Sequence, residues 1–360
     1  MKMGKFDDKD FKMSSQFGET LLQREMSMKA RVGTIKPMTL FTDVKETSHR
    51  RAGALGGSSH IGKGESSSQS LPLSSALLKG DVQMKMIGPF NASAPILDDP
   101  DIASLVEFIF DLVVPDERLV ETDFNFLNKD LIRSMGPGKN VMGEVLNVVC
   151  EVNTRAALLV SAEDGRAWYL NTRLTVSGIS IDSLFPDNGR DDSARKFYFG
   201  DLKKCQHIFI PIHNDKIEHW LLFIVHIGDG IVEICDSMLD KHGLSTGSGL
   251  VKMVMEKLDY LLADQIADKM GPSFSFTCFQ VQTNVGVLQQ SNGYDCGIHV
   301  INRTEGRHEV YFKHSIFNSA NERICIALGL VTSTHNKIWG NVQLGFDVWK
   351  KTKNQGMRGD

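Results

Sequence analysis

The chain lacks a surplus of either charge: 40 Lys and Arg stand against 44 Asp and Glu, for a formal net charge of −4. It therefore offers no electrostatic footprint for non-specific nucleic-acid binding. Cysteine is scarce. Cys150, Cys205, Cys235, Cys278, Cys296 and Cys325 are spread over 360 residues, whereas disulfide scaffolds are short, secreted and far denser in cysteine. Long apolar runs are missing too; the longest, Trp220 to Val225, is far too short to span a bilayer. The opening MKMGKFDDKD holds no apolar stretch of a secretory signal. These absences predict an intracellular, non-secreted protein with no membrane or nucleic-acid partner. Its thiols would stay reduced in a nuclear or nucleocytoplasmic location; the basic pair Arg50-Arg51 is a weak hint of a nuclear signal and more often only a solvated stretch.

What is present is an ordinary globular composition, 41% hydrophobic and 23% charged, which excludes collagen, a coiled coil and full disorder. It is unevenly distributed. Gly53 to Gly80 is rich in Ser and Gly, with too little apolar surface to offset its ordering entropy. Residues 1–95 are therefore expected to form a disordered or low-complexity extension, and 96–360 one folded domain.

Periodicity within the domain predicts its elements. Apolar residues at helical spacing run over Asp101–Val114, closed by Pro115, and again over Gly143–Val160. Strands are expected at His207–Ile212, His219–His226 and Ile231–Cys235, the last two joined by a Gly228-Asp229-Gly230 turn. A helix at Leu250–Leu262 and a strand at Phe279–Val285 follow, then helices at Cys296–Arg303 and Ile316–Leu328. Helices lead, strands cluster and helices return, which predicts an α+β fold with a central mixed, mostly antiparallel sheet flanked by helices. Lys350-Lys351-Thr-Lys353 is expected to be a solvated tail.

The chemistry concentrates in QQSNGYDCG, Gln289 to Gly297. Turn residues place Cys296 in the first turn of a helix, where backbone N–H groups and the dipole favour a thiolate, the nucleophilic form. The other five cysteines are expected to be structural. His219 opens one strand and Asp236 follows the next, so antiparallel pairing brings them together. There Asp236 can fix one tautomer of the imidazole. Gln290, six residues before Cys296, can offer an amide donor to a developing oxyanion.

With its His219-Trp220 and Asp236-Ser237 pairs and the Gln289-to-Gly297 signature, the chain resembles the Ulp1/sentrin-specific protease family, plant members in particular. The resemblance covers His207 to Gly297 most strongly. It implies a papain-like cysteine protease fold that cleaves after the C-terminal Gly-Gly of a ubiquitin-like modifier, usually SUMO. By position it makes His219 the general base, Asp236 its orienting acid, Cys296 the nucleophile and Gln290 the oxyanion donor. Trp220 would cover the diglycine tunnel and Glu144 would bind a basic residue of the modifier. The implied partners are SUMO and SUMO-conjugated proteins, met by a monomer. Two departures stand out: Val141 occupies the place of a second tunnel tryptophan, and Asn302 to Gly306 interrupts the helix after Cys296 early. They motivate an alternative, a catalytically weak or inactive domain that only binds a ubiquitin-like protein.

Two other patterns are set aside. Gly243-Leu-Ser245-Thr-Gly247 matches the nucleophile-elbow spacing but lacks the buried strand that motif needs. Cys205, His207, His213 and His219 fit no compact zinc spacing. No metal or cofactor is expected.

Overall fold

The computed structural model describes residues 84–92, 99–111, 113–159, 166–175, 193–305 and 317–356. A five-stranded mixed sheet organises it, in the order β5 (Arg166–Tyr169), β6 (Cys205–Asn214), β7 (His219–His226), β8 (Ile231–Cys235) and β9 (Gln280–Thr283). The α+β expectation holds. The sheet is mixed, as expected: β6, β7 and β8 form an antiparallel meander, and β5 and β9 join its two sides in parallel. Parallel pairing requires a crossover, and the chain from β8 to β9 provides one through α5 (Val251–Leu261).

The central strand separates two apolar cores. Leu221, Phe223 and Val225 of β7 enter one with Ile208, Ile210 and Ile212 of β6 and with Val254, Met255 and Leu258 of α5. Trp220, Leu222 and Ile224 face the other. This alternation is the period-two geometry of a strand, and because both faces are covered the run HWLLFIV is continuously buried. The second core is closed by α1 (Pro100–Ile109), α3 (Gly143–Leu159), α6 (Cys296–Thr304) and α7 (Ser319–Val331). Between α1 and α3 lie the short hairpin β3 (Arg118–Glu121) and β4 (Phe126–Asn128) and the single turn α2 (Lys129–Ile132). The turn α4 (Ser193–Tyr198) and the helix α8 (Trp339–Gly356) complete the helical set used below. Among the described residues no helix is long and apolar enough to cross a membrane.

Three expectations need correction. The boundary at residue 95 is too late, because β1 (Lys85–Ile87) and β2 (Phe90–Ala92) form a hairpin whose Ile87, Phe90 and Ala92 are buried. Phe90 packs edge-on against Phe110 at 4.9 Å, and Gly88 turns at φ +53° against the backbone of Glu107. Three inward residues in a short segment are too few to stand out beside the Ser/Gly-rich stretch, which itself lies outside the described residues. Second, α1 ends at Ile109 rather than Val114. It begins as Asp99 accepts the N–H of Asp101, with Pro100 in the first turn, where the missing N–H costs nothing. Third, the basic C-terminal stretch is helical: in α8, Lys350 and Lys353 pair with Asp101 and Glu107 of α1, while Phe346 and Trp349 pack on Phe108.

Two buried ionisable side chains hold the helices to the sheet's surroundings. Glu151, in the middle of α3, is fully buried and receives Thr122 Oγ1 at 2.6 Å, the N–H of Asp123 at 2.7 Å and Asn125 Nδ2 at 2.8 Å. It thereby fixes the β3–β4 turn against the helix. Arg323 of α7 is also fully buried; its Nη2 lies 2.8 Å from Asp295 Oδ1, and it donates to the carbonyls of Ser134, Gly136 and Tyr294. Removing one partner of such a pair strands the other charge in the core. Arg323→Met should therefore cost roughly 3–5 kcal/mol in urea unfolding, and adding Asp295→Leu should recover much of that loss.

Candidate active site

The site forms where β7 begins, β8 ends and α6 starts. Pairing of Leu222 with Cys235 and of His226 with Ile231 closes the β7–β8 hairpin, and Gly230 makes its turn at φ +62°. Continued by one residue, this register sets Asp236 opposite Leu221, diagonal to His219 on the same face of the sheet. His219 Nε2 lies 2.8 Å from Asp236 Oδ1, and both side chains are almost completely buried. Cys296 is the second partner of His219, and each raises or lowers the other's proton affinity toward the ion pair. The expected cluster of His219, Asp236 and Cys296 is therefore assembled.

Cys296 is the first residue of α6 and is 1% exposed. Burial pushes its thiol toward the neutral form. The hydrogen bond from His219, the N–H groups of Trp220 and Gly297 and the imidazolium charge outweigh that and hold the thiol below its ordinary range. Cys150, Cys205 and Cys235 are buried too, and there desolvation prevails over what few stabilising contacts they have and raises them, Cys150 to about 12. Reactivity thus separates among the buried thiols by what surrounds the sulfur. For His219, burial works against the charged ring, but the bonds to Asp236 and Cys296, with the charges of both, bring it up to about 9. Burial likewise opposes the Asp236 carboxylate, and the donors around it keep it below its usual range.

The remaining expected residues surround this centre. Gln290 is locked to Ser237: its N–H donates to the Ser237 carbonyl, and Ser237 Oγ donates to Oε1, each at 2.8 Å. One Nε2 hydrogen goes to the Asn292 carbonyl; Nε2 carries a second. Trp220 is 6% exposed and lines a cleft of about 420 Å³ with Asn140 to Glu144, Thr172, His213, Asp215 and Glu218. Its indole N–H donates to the Val141 carbonyl at 2.8 Å, and the His213 ring lies 4.5 Å away. Glu144 is exposed in the first turn of α3 on the cleft wall, apart from the buried relay. Val141 is buried and seated on α6, so close that a Cβ on Gly297 would stand 2.6 Å from its own Cβ.

Several contributors were not foreseen. Ser245, from the motif set aside as a false nucleophile elbow, donates to Asp236 Oδ2 at 2.7 Å. The loop around it carries turn residues, but nothing in its spacing pointed to Asp236. Asp295 sits inside the signature, yet its partner Arg323 is 28 residues away in an apolar helix with no local sign of the pairing.

A thiolate–imidazolium pair oriented by a buried carboxylate is the apparatus of a cysteine peptidase. Residues 186–315 match the model of the Ulp1 protease family, C-terminal catalytic domain. The chain is 23% identical over 173 residues to Ubiquitin-like-specific protease ESD4 of Arabidopsis thaliana, covering 48% of this chain and 33% of that protein. It is 30% identical over 106 residues to NEDD8-specific protease 1 of Schizosaccharomyces pombe, covering 28% and 21%. The matched region is thus a third or less of the length of these relatives. Among solved structures, the C-terminal Ulp1 protease domain in complex with Smt3, the yeast orthologue of SUMO, aligns at 17% identity and TM-score 0.47, covering 68% of this chain and all of that one.

The two shifts predict a pH window. Cys296 is ionised above its lowered thiol pKa, and His219 stays protonated until about 9, so the ion pair exists between those limits. Alkylation of Cys296 by iodoacetamide, followed by peptide mass spectrometry, should show its inflection below that of an ordinary thiol. In His219→Ala the inflection should move upward, because burial then acts with less opposition.

Proposed function

We propose that this chain is a thiol peptidase and isopeptidase that cleaves after the C-terminal Gly-Gly of a ubiquitin-like modifier. The observation that supports it best is the buried relay of Asp236, His219 and Cys296 at the start of α6, beside the cleft lined by Trp220. In this reading the Cys296 thiolate attacks the carbonyl carbon of the terminal glycine. The amide π electrons move onto oxygen, and the Gln290 amide stabilises that charge. The intermediate collapses to a thioester as the C–N bond breaks, and the His219 imidazolium gives its proton to the departing amine. His219 then takes a proton from water, which attacks the thioester and releases the modifier with Cys296 restored as thiolate. Trp220 would flank the tail in the cleft, and Glu144 would meet a basic group of the modifier at the rim.

SUMO is the first modifier to consider, on the signature around Cys296, and NEDD8 the second, since a NEDD8-specific protease is among the relatives. We assign the protein, as a monomer, to nuclear or nucleocytoplasmic conjugates; the basic pair Arg50-Arg51 supports the location, and a reducing compartment keeps a free thiol out of disulfides. One observation favours the binding-only alternative: Val141 gives its carbonyl, not a flat ring, to the cleft facing Trp220.

The test uses SUMO and NEDD8 whose terminal glycine carries an electrophile. Wild-type protein should form a covalent adduct with at least one of them, and Cys296→Ala should form none. Tight, non-covalent binding of the modifiers, with no adduct and no release of a C-terminal reporter, would establish the alternative.

A further inference from the structure

We propose that Ser245 is a positioning residue for the candidate peptidase reaction, clamping the second oxygen of Asp236 so that the first stays aligned with the His219 ring. The inference rests on the peptidase reading above. It extends that reading to a loop that neither the signature nor the relay includes.

Asp236 is completely buried, and its two oxygens have different tasks. Oδ1 is shared by His219 Nε2 and the N–H of Met238, both at 2.8 Å. Oδ2 faces away from the imidazole and is held by Ser245 Oγ at 2.7 Å, the N–H of Thr246 at 3.2 Å and Thr246 Oγ1 at 3.3 Å. The serine bond is the shortest of the five. A carboxylate anchored at only one oxygen can turn about its Cβ–Cγ bond, and any turn lengthens the bond to Nε2. Anchoring both oxygens removes that freedom before substrate arrives, which is the form preorganisation takes in a triad.

Ser245 is itself held in place. The N–H of Gly247 donates to its oxygen at 3.0 Å, which leaves the hydroxyl hydrogen to point at Asp236. Ser245 is 8% exposed, so water does not readily replace the bond. The loop sits directly on β7: a Cβ at Gly247 would come within 2.7 Å of Leu221 Cδ1 and 3.3 Å of Phe223 Cε1. The clamp on Asp236 therefore rests on the same strand that presents His219. Movement of the acid relative to the base would require the loop to leave the strand.

The experiment compares wild type, Ser245→Ala and Ser245→Thr in the full chain. Two readouts are used: pH-dependent alkylation of Cys296 by iodoacetamide, and turnover of SUMO and NEDD8 bearing a C-terminal aminomethylcoumarin. Ser245→Ala should lower kcat about tenfold with little change in KM, as expected for loss of a hydrogen bond to a charged group. It should also raise the inflection for Cys296 alkylation, and Ser245→Thr, which keeps the hydroxyl, should restore both. The proposal is overturned if Ser245→Ala keeps the wild-type alkylation profile and a kcat within about twofold. A lower Tm with both readouts unchanged overturns it as well, since it reveals a purely structural role. Should Ser245→Ala fail to fold, Thr246→Val, which removes the 3.3 Å hydroxyl bond to the same oxygen, must shift the alkylation inflection in the same direction. An unchanged inflection there also overturns the proposal. If Cys296 of the wild type titrates as an ordinary thiol, the peptidase reading itself fails, an outcome distinct from failure at Ser245.

Discussion

The buried pair of Arg323 and Asp295 fixes the geometry on which the site depends. One guanidinium joins three separate pieces of chain. It is carried by α7, it binds Tyr294 and Asp295 at the threshold of α6, and it holds the carbonyls of Ser134 and Gly136, which lead into the cleft wall. Ser319, one turn earlier in α7, donates to the same oxygen of Asp295, and Asn292 donates to the other. Burial would by itself raise the carboxyl, but this ring of donors keeps it ionised. Asp295 immediately precedes Cys296. The position of the sulfur is therefore set by a charge pair one residue away from it, and the desolvation cost of both ions is offset by eight hydrogen bonds, the pair's own included.

The same balance between burial and hydrogen bonding recurs in the relay. All three members are nearly inaccessible, and burial alone would neutralise each. Each is instead surrounded by partners that favour its charged form, so charge is stable where solvent is scarce. The contrast with Cys150, raised to about 12 by burial alone, shows that depth is not what activates Cys296. What distinguishes the two is the helix start, with its directed N–H groups, and the neighbouring imidazolium.

Features that depend on local spacing were legible in the sequence. The β7–β8 hairpin was readable because a turn motif separates two apolar runs, and once the strands are antiparallel the meeting of His219 with Asp236 follows. Cys296 was readable because turn residues run directly into a helix. Features that depend on distant contacts were not. Arg323 reads as a surface residue of a helix until Asp295 is placed beside it. Ser245 reads as one turn residue among several until the loop folds onto Leu221. The β1–β2 hairpin was hidden for another reason: each strand has three residues, so periodicity has almost nothing to act on. The parallel pairing of β9 was equally invisible, since it follows from a crossover rather than from any property of Gln280–Thr283.

Val141 illustrates how a substitution changes meaning once its surroundings are known. In the sequence it reads as a missing aromatic ring, a simple loss of grip. In the structure its side chain is packed inward against Gly297, in the turn that presents Cys296. A tryptophan could not occupy that inward seat, because the glycine's own missing Cβ already marks the limit of available space. The two small residues are therefore coupled, and Val141 contributes to placing Cys296 as well as to shaping the cleft. The cleft is left with unlike walls: an indole fixed by its N–H on one side, and on the other the backbone of Val141 with the exposed Met142.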